Sequence, residues 1–197
     1  MKSPEEFKKI LKQLPGISIS TCFYRFMEIG YLKDPLSGLG SLEHGGRYNF
    51  KGKGSYEVVY LAPDPETAIA EGSRDKYLIS PSVLITIEVN LQKVIDLEDS
   101  KNISALGINE QELYCSWRKI QDVDGEEAYT QIFGRMMYES QVIETIRYPS
   151  VVKKGRYNLA IFINRLKKDS ELKVHDPDKK ISRVIKGSVA NLKRIGY

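Results

Sequence analysis

The chain has few of the residues that announce metal or redox chemistry. Its two cysteines, Cys22 and Cys115, lie far apart and in no CxxC pattern, and its two histidines are His44 and His175. A disulfide framework, a Cys-based zinc site and a His-rich metal site are therefore not expected. With so little cysteine the cytoplasm is the expected compartment. Long hydrophobic runs are also missing: no stretch approaches the roughly 20 apolar residues of a transmembrane helix. Met1 to Leu14 is charged and carries no apolar centre, so a secretory signal is not expected there. Nor is there a large charge of one sign. The 30 basic and 26 acidic residues leave a net charge of +4. That mild excess suits an anionic small-molecule partner and argues little for nucleic acid.

What is present is ordinary for one globular domain: 197 residues, 41% hydrophobic and 28% charged. Residues 3–14 read as a short amphipathic helix, with Ser3 as cap, Pro4 in the first turn, and Phe7, Ile10, Leu11 and Leu14 on one face. Residues 17–28 alternate and are rich in β-branched and aromatic side chains, which predicts a strand. Residues 30–46, with five glycines, read as a long loop. A strand over 57–62 leads into Asp64-Pro65, a helix start, and a helix to about Gly72. Strands are expected at 83–89, 93–97, 141–147, 158–163 and 172–175, and helices at 109–120 and 126–138. Strands outnumber helices without regular alternation, so the fold class is α+β. The chain divides into a helical extension (1–16), a main domain (17–175) and a basic tail (176–197) that packs on the domain or extends it.

The densest cluster of unusual residues is Gly45-Gly46-Arg47-Tyr48-Asn49. Paired glycines let the backbone turn sharply and approach a ligand, and the following arginine offers a planar fork to phosphate or carboxylate. The block is neither a Walker A loop nor a GxGxxG fingerprint. Spacing alone also fits a Gly-rich hairpin with a surface arginine. Glu71 sits among small and apolar neighbours in Ala68-Ile69-Ala70-Glu71, where a partly buried acid needs a partner; a helix-surface glutamate is the plainer reading. Ser150 follows Pro149 at a strand end, and no histidine is placed to activate it, so hydrogen bonding or a simple turn suits it better than nucleophilic attack. Arg25, between Tyr24 and Phe26, faces either solvent or a polar site.

Taken together, Tyr24-Arg25, His44 to Asn49, Gly52, Val58 to Ala62, Ala70-Glu71, Arg147-Tyr148-Pro149-Ser150 and Asn158 to Phe162 resemble the RES domain family over about residues 20–165. The family takes its name from an arginine, a glutamate and a serine. The resemblance implies a fold like that of the diphtheria-toxin type of ADP-ribosyltransferase. It implies the toxin of a type II toxin–antitoxin system, with an Xre-type antitoxin as partner. The implied activity is depletion of NAD+ by cleavage of the nicotinamide–ribose bond, with water or phosphate as acceptor and no metal. On this resemblance the catalytic positions are Arg47, Glu71 and Ser150, and Arg25, Gly45, Gly46, Tyr48, Tyr60 and Asn158 line the site. The chemistry suits these residue types. Arginines neutralise a pyrophosphate, a carboxylate stabilises an oxocarbenium-like ribose, Tyr60 or Tyr48 stacks on nicotinamide, and Ser150 orients nicotinamide or ribose.

Two other activities share parts of this pattern. An ADP-ribosyltransferase acting on a protein uses the same site and differs only in its acceptor. A non-catalytic nucleic-acid-binding module would use the basic tail, with Lys179, Lys180, Arg183, Lys186, Lys193 and Arg194. That tail carries no nucleic-acid motif, and direct nucleic-acid binding is not expected. The helix over 1–14 is expected to be exposed and to serve a partner or a second copy, in a homo-oligomer or a toxin–antitoxin complex.

Overall fold

The computed structural model describes residues 2–74, 80–181 and 183–187. Its first helix, α1 (Pro4–Gln13), starts where Ser3 accepts a hydrogen bond from the Glu6 N–H, with Pro4 and two acids in the first turn. Phe7 and Leu11, one turn apart, are buried, and the Phe7 ring meets Phe133 edge-on at 5.3 Å. This corrects the expectation of an exposed extension: α1 closes one of the two hydrophobic cores. Phe7→Ala is accordingly expected to cost about 3 kcal/mol. A thermal melt followed by circular dichroism should show Tm falling by roughly 6–12 °C for a chain of this size.

Strand β1 (Ile17–Glu28) pairs antiparallel along nearly all of a 15-residue strand, β3 (Ser82–Asp96). The intervening chain holds helix α2 (Leu39–His44), inside the segment expected to be loop, then strand β2 (Val58–Leu61) and helix α3 (Pro65–Ser73). Asp64 caps α3 by accepting from Thr67 N–H at 2.8 Å. After β3 come α4 (Ser100–Leu106), a 3-10 turn (Glu110–Tyr114), the three-residue α5 (Trp117–Lys119) and a π-turn (Ile120–Asp124). The helix expected over 109–120 is thus broken into short turns. Arg47 takes the Leu113 and Cys115 carbonyls out of any helical ladder. Helix α6 (Tyr129–Ser140) is regular, and strands β4 (Thr145–Pro149), β5 (Tyr157–Phe162), β6 (Glu171–Val174) and β7 (Val184–Lys186) complete the described chain.

The seven strands form one mixed sheet in the order β2-β5-β4-β3-β6-β7, with β1 on the other edge of β3. The sheet curls until its two ends meet: Tyr24 of β1 and Ala62, just past β2, exchange both backbone hydrogen bonds at 2.8 and 2.9 Å. β6 and the parallel β4 share one edge of β3, at residues 87–90 and 94–96. The polar interval between them was expected to divide β3 in two. The strand stays continuous because the buried Glu144 carboxylate accepts the Gln92 and Lys93 N–H groups there.

Alternation sorts the side chains into two cores. Val58, Ile146, Ala160 and Phe162 pack with α1 and α6, while Val59, Leu61, Leu159 and Ile161 pack with Phe23 and Ile87. The result is a single α+β domain, and among the described residues no helix is long and apolar enough to cross a membrane. Of the basic tail, β7 extends the sheet through β6, Lys186 pairs with Glu171 at 3.1 Å, and Lys180 pairs with Asp178 at 3.5 Å. Lys193 and Arg194 lie outside the described residues.

Candidate active site

Where the sheet closes on itself, β1, the end of β2, α3 and the segment after α2 surround a cleft of about 620 Å³. The glycine block forms its floor. Helix α2 ends at Gly45, whose φ of +76° favours glycine and where a Cβ would lie 2.1 Å from Gln121 Oε1. At Gly46 a Cβ would come within 2.5 Å of the Tyr60 hydroxyl, and its N–H donates to Asn49 O at 2.8 Å. The turn is held from beneath. Fully buried Gln131 donates to Gly46 O at 3.0 Å and to Gln121 Oε1 at 2.9 Å, and Gln121 donates to His44 O at 3.0 Å. Neither glutamine stands out in the sequence, because a buried amide carries no periodic signal.

The tyrosines divide. Tyr60 lines the cleft, but its hydroxyl donates to Asn49 Oδ1 at 2.7 Å and accepts from Tyr48 N–H at 2.9 Å. Burial, the largest influence, pushes its pKa well above the ordinary 10, with the Tyr48 N–H bond and the Arg47 charge opposing. Tyr48, expected on the wall, is wholly buried, its ring 4.8 Å from that of Tyr148. It cannot stack on a ligand. It sits in a tight turn, where strand alternation gives no guide to direction.

Both expected arginines reach the cleft, and both also brace the chain. Arg47 is 6% exposed and donates through Nη1 to Leu113 O at 2.8 Å and Cys115 O at 3.2 Å. Arg25 donates through Nη1 to Pro35 O at 2.7 Å and Ser37 O at 3.0 Å, so it is not the surface residue that strand alternation allowed. Burial lowers its pKa to about 10 against the raising effect of Asp34, which leaves it charged at neutral pH.

Glu71 projects from α3, which lies close on β1: a Cβ on the next residue, Gly72, would be 2.7 Å from the Phe26 ring. Two donors converge on one carboxylate oxygen, Oε1: Ser150 Oγ at 2.8 Å and Asn158 Nδ2 at 2.6 Å. Oε2 takes no hydrogen bond among the described residues. Ser150 itself is 5% exposed and is not part of the cleft wall. Its Oγ accepts the Val152 and Lys153 N–H groups, at 3.3 and 3.1 Å, and so turns its proton to Glu71. The serine expected to orient a ligand instead orients the glutamate. Asn158, 3% exposed, shares that task and borders the cleft.

Four arginines (25, 47, 74 and 118) and two glutamates (28 and 71) line the cleft, so its field favours an anion. Tyr24, which carried part of the resemblance but no role in the site, also lines it, as do Trp117 and Arg118, which were not singled out in the sequence. The arrangement combines an oriented carboxylate, a cationic wall and aromatic rings, which suits a ligand that is anionic in one part and cationic or aromatic in another.

Among curated proteins none matches this chain. Among solved structures, a chain of the crystal structure of the M. tuberculosis MbcT–MbcA toxin–antitoxin complex shares the fold. Its TM-score is 0.56 over 80% of this chain and 81% of that chain, at 19% identity. A family model for the RES domain matches residues 23–183, a span that runs from within β1 to the residue before β7 and takes in the glycine turn, Glu71, Ser150 and Asn158. The chain belongs to the RES domain family.

Proposed function

We propose that this protein is the toxin of a toxin–antitoxin pair and that its cleft cleaves the nicotinamide–ribose bond of NAD+. Family membership and the similarity to a chain of a toxin–antitoxin complex support the first part. An ADP-ribosyltransferase-like fold, an Xre-type antitoxin as partner and a cytoplasmic site of action belong to the same proposal. The observation that carries the second part is Glu71: a carboxylate anchored through one oxygen, with the other unclaimed among the described residues, in a cleft lined by four arginines.

NAD+ presents two negative phosphates and a cationic pyridinium. The arginines favour the pyrophosphate. In the reaction the C1′–N bond of the ribose breaks and its electron pair returns to the ring, so nicotinamide leaves neutral. Positive charge develops on the ribose C1′ and ring oxygen. A carboxylate held against that sugar stabilises the charge as it forms. Because Ser150 and Asn158 already fix the carboxylate, little reorientation is needed at the moment of reaction. An oxygen of water, which passes its proton to solvent, or an unprotonated oxygen of phosphate then bonds to C1′.

The test is nicotinamide release from NAD+ by the purified chain, with and without inorganic phosphate. Release establishes cleavage. A rate that rises with phosphate, with ADP-ribose phosphate as product, assigns phosphorolysis, and indifference to phosphate assigns hydrolysis. Absence of release under both conditions overturns the reading.

A further inference from the structure

Trp117 is the only tryptophan of the chain. It is half-buried, belongs to neither hydrophobic core, and lines the cleft. The Arg118 guanidinium lies over the indole at 4.5 Å from its centroid, and Arg118 lines the cleft too. A large apolar ring left out of both cores but set in a cleft wall is arranged for a flat ligand rather than for packing.

The segment that bears the ring is fixed in advance. Arg47 holds the Leu113 and Cys115 carbonyls on one side of Trp117, and Gln121 on the other side reaches His44 O and packs against Gly45. Trp117 comes to the cleft from α5 and Glu71 from α3, so different elements present the ring and the carboxylate.

We propose that Trp117, with Arg118, is the platform for the adenine ring of the dinucleotide, and that it sets the preference for NAD+ over a mononucleotide. The inference rests on the reading of Glu71 as the group beside the nicotinamide ribose. The Arg118 guanidinium beside the indole repels a cationic pyridinium, so of the two rings of the dinucleotide the neutral adenine suits the Trp117 wall. Base stacking on indole is tolerant of sequence and geometry and strong enough to govern affinity, while a guanidinium above the ring adds a second planar surface.

The experiment uses the sole tryptophan as reporter. AMP and ADP-ribose are titrated against the full-length protein while Trp117 emission is followed, with nicotinamide mononucleotide as control. Saturable changes with AMP and ADP-ribose, and none with the mononucleotide, are expected. In turnover assays Trp117→Ala should raise KM for NAD+ about tenfold, equivalent to about 1.4 kcal/mol, with kcat within twofold, and Trp117→Phe should restore most of the affinity. Should Trp117→Ala not fold, Arg118→Ala serves, with a several-fold rise in KM expected. Emission blind to AMP overturns the proposal, and so does an unchanged KM in the variant. A wild-type protein whose emission responds to AMP but which releases no nicotinamide keeps the adenine platform and sinks the cleavage reading. Release with a silent Trp117 does the reverse.

Discussion

Glu71→Gln is expected to lower kcat for nicotinamide release by roughly 10²–10³-fold, the scale seen when one preorganised electrostatic group is removed from a transition state. KM for NAD+ should move little, because the charge that Glu71 opposes arises only as the glycosidic bond breaks. The substitution is nearly isosteric. Ser150 and Asn158 both donate to Oε1, so the glutamine must turn its oxygen to that position and its amino group to the place of Oε2. The anchoring bonds then survive and only the charge is lost. A thermal melt within a few degrees of wild type would show that the fold is kept, and initial rates of nicotinamide release give the kinetic change. A folded Glu71→Gln protein with full turnover would remove Glu71 from the chemistry and leave cleavage of NAD+ to other groups of the cleft.

The parts of the site that could be read in the sequence are those where local chemistry dictates geometry. Paired glycines before Arg47 favour a turn, and the turn is there, with Gly45 at φ +76° and Gln121 and Tyr60 packed where Cβ atoms would lie. Asp64-Pro65 fixes the start of α3 and with it the position of Glu71 nearly two turns after the cap. The resemblance also singled out Ser150 and Asn158, but not that they would meet on Glu71, because that contact joins residues 79 and 87 positions apart. Direction is harder still. Arg25 sits in a strand whose alternation permits an outward side chain, yet it turns to two carbonyls of the following loop. Tyr48 faces the core from a turn, where period-two reasoning does not hold. Trp117 was hidden inside a stretch with helical composition, and that helix is cut short by Arg47, a residue about 70 positions away that claims its carbonyls. The extent of α1 could be read from its cap and apolar face, but its packing partner, Phe133, could not.

Glu144→Ala is expected to cost about 4–5 kcal/mol, near the top of the range for taking one partner from a buried charged network. Tm should fall by roughly 10–20 °C. Glu144 is wholly buried at the start of β4, outside the cleft. Its Oε1 accepts from Lys93 N–H and Ser170 Oγ, both at 2.9 Å, and from Gln92 N–H, while Oε2 accepts from Lys167 N–H at 2.6 Å. Its own N–H donates to Lys93 O at 3.1 Å, and its carbonyl accepts from Phe162 N–H at 2.9 Å. One side chain thus closes the gap on β3 between β4 and β6, where no neighbouring strand supplies acceptors, and ties in the chain leading to β6. Alanine leaves the buried Ser170 hydroxyl and the part-buried Gln92, Lys93 and Lys167 N–H groups without this acceptor, and each such loss costs up to about 1–3 kcal/mol before relaxation. Glutamine can keep its oxygen toward the three donors at Oε1 but sets an amino group against the Lys167 N–H. The order of stability in a urea or thermal melt should therefore be wild type, Glu144→Gln, Glu144→Ala. Because the cleft is formed elsewhere, nicotinamide release per folded molecule should stay near the wild-type value in the glutamine variant. An alanine variant melting within about 2 °C of wild type, a shift of less than roughly 1 kcal/mol, would mean that water or a shifted β4 backbone satisfies the β3 donors. The continuity of the long strand would then not depend on this carboxylate.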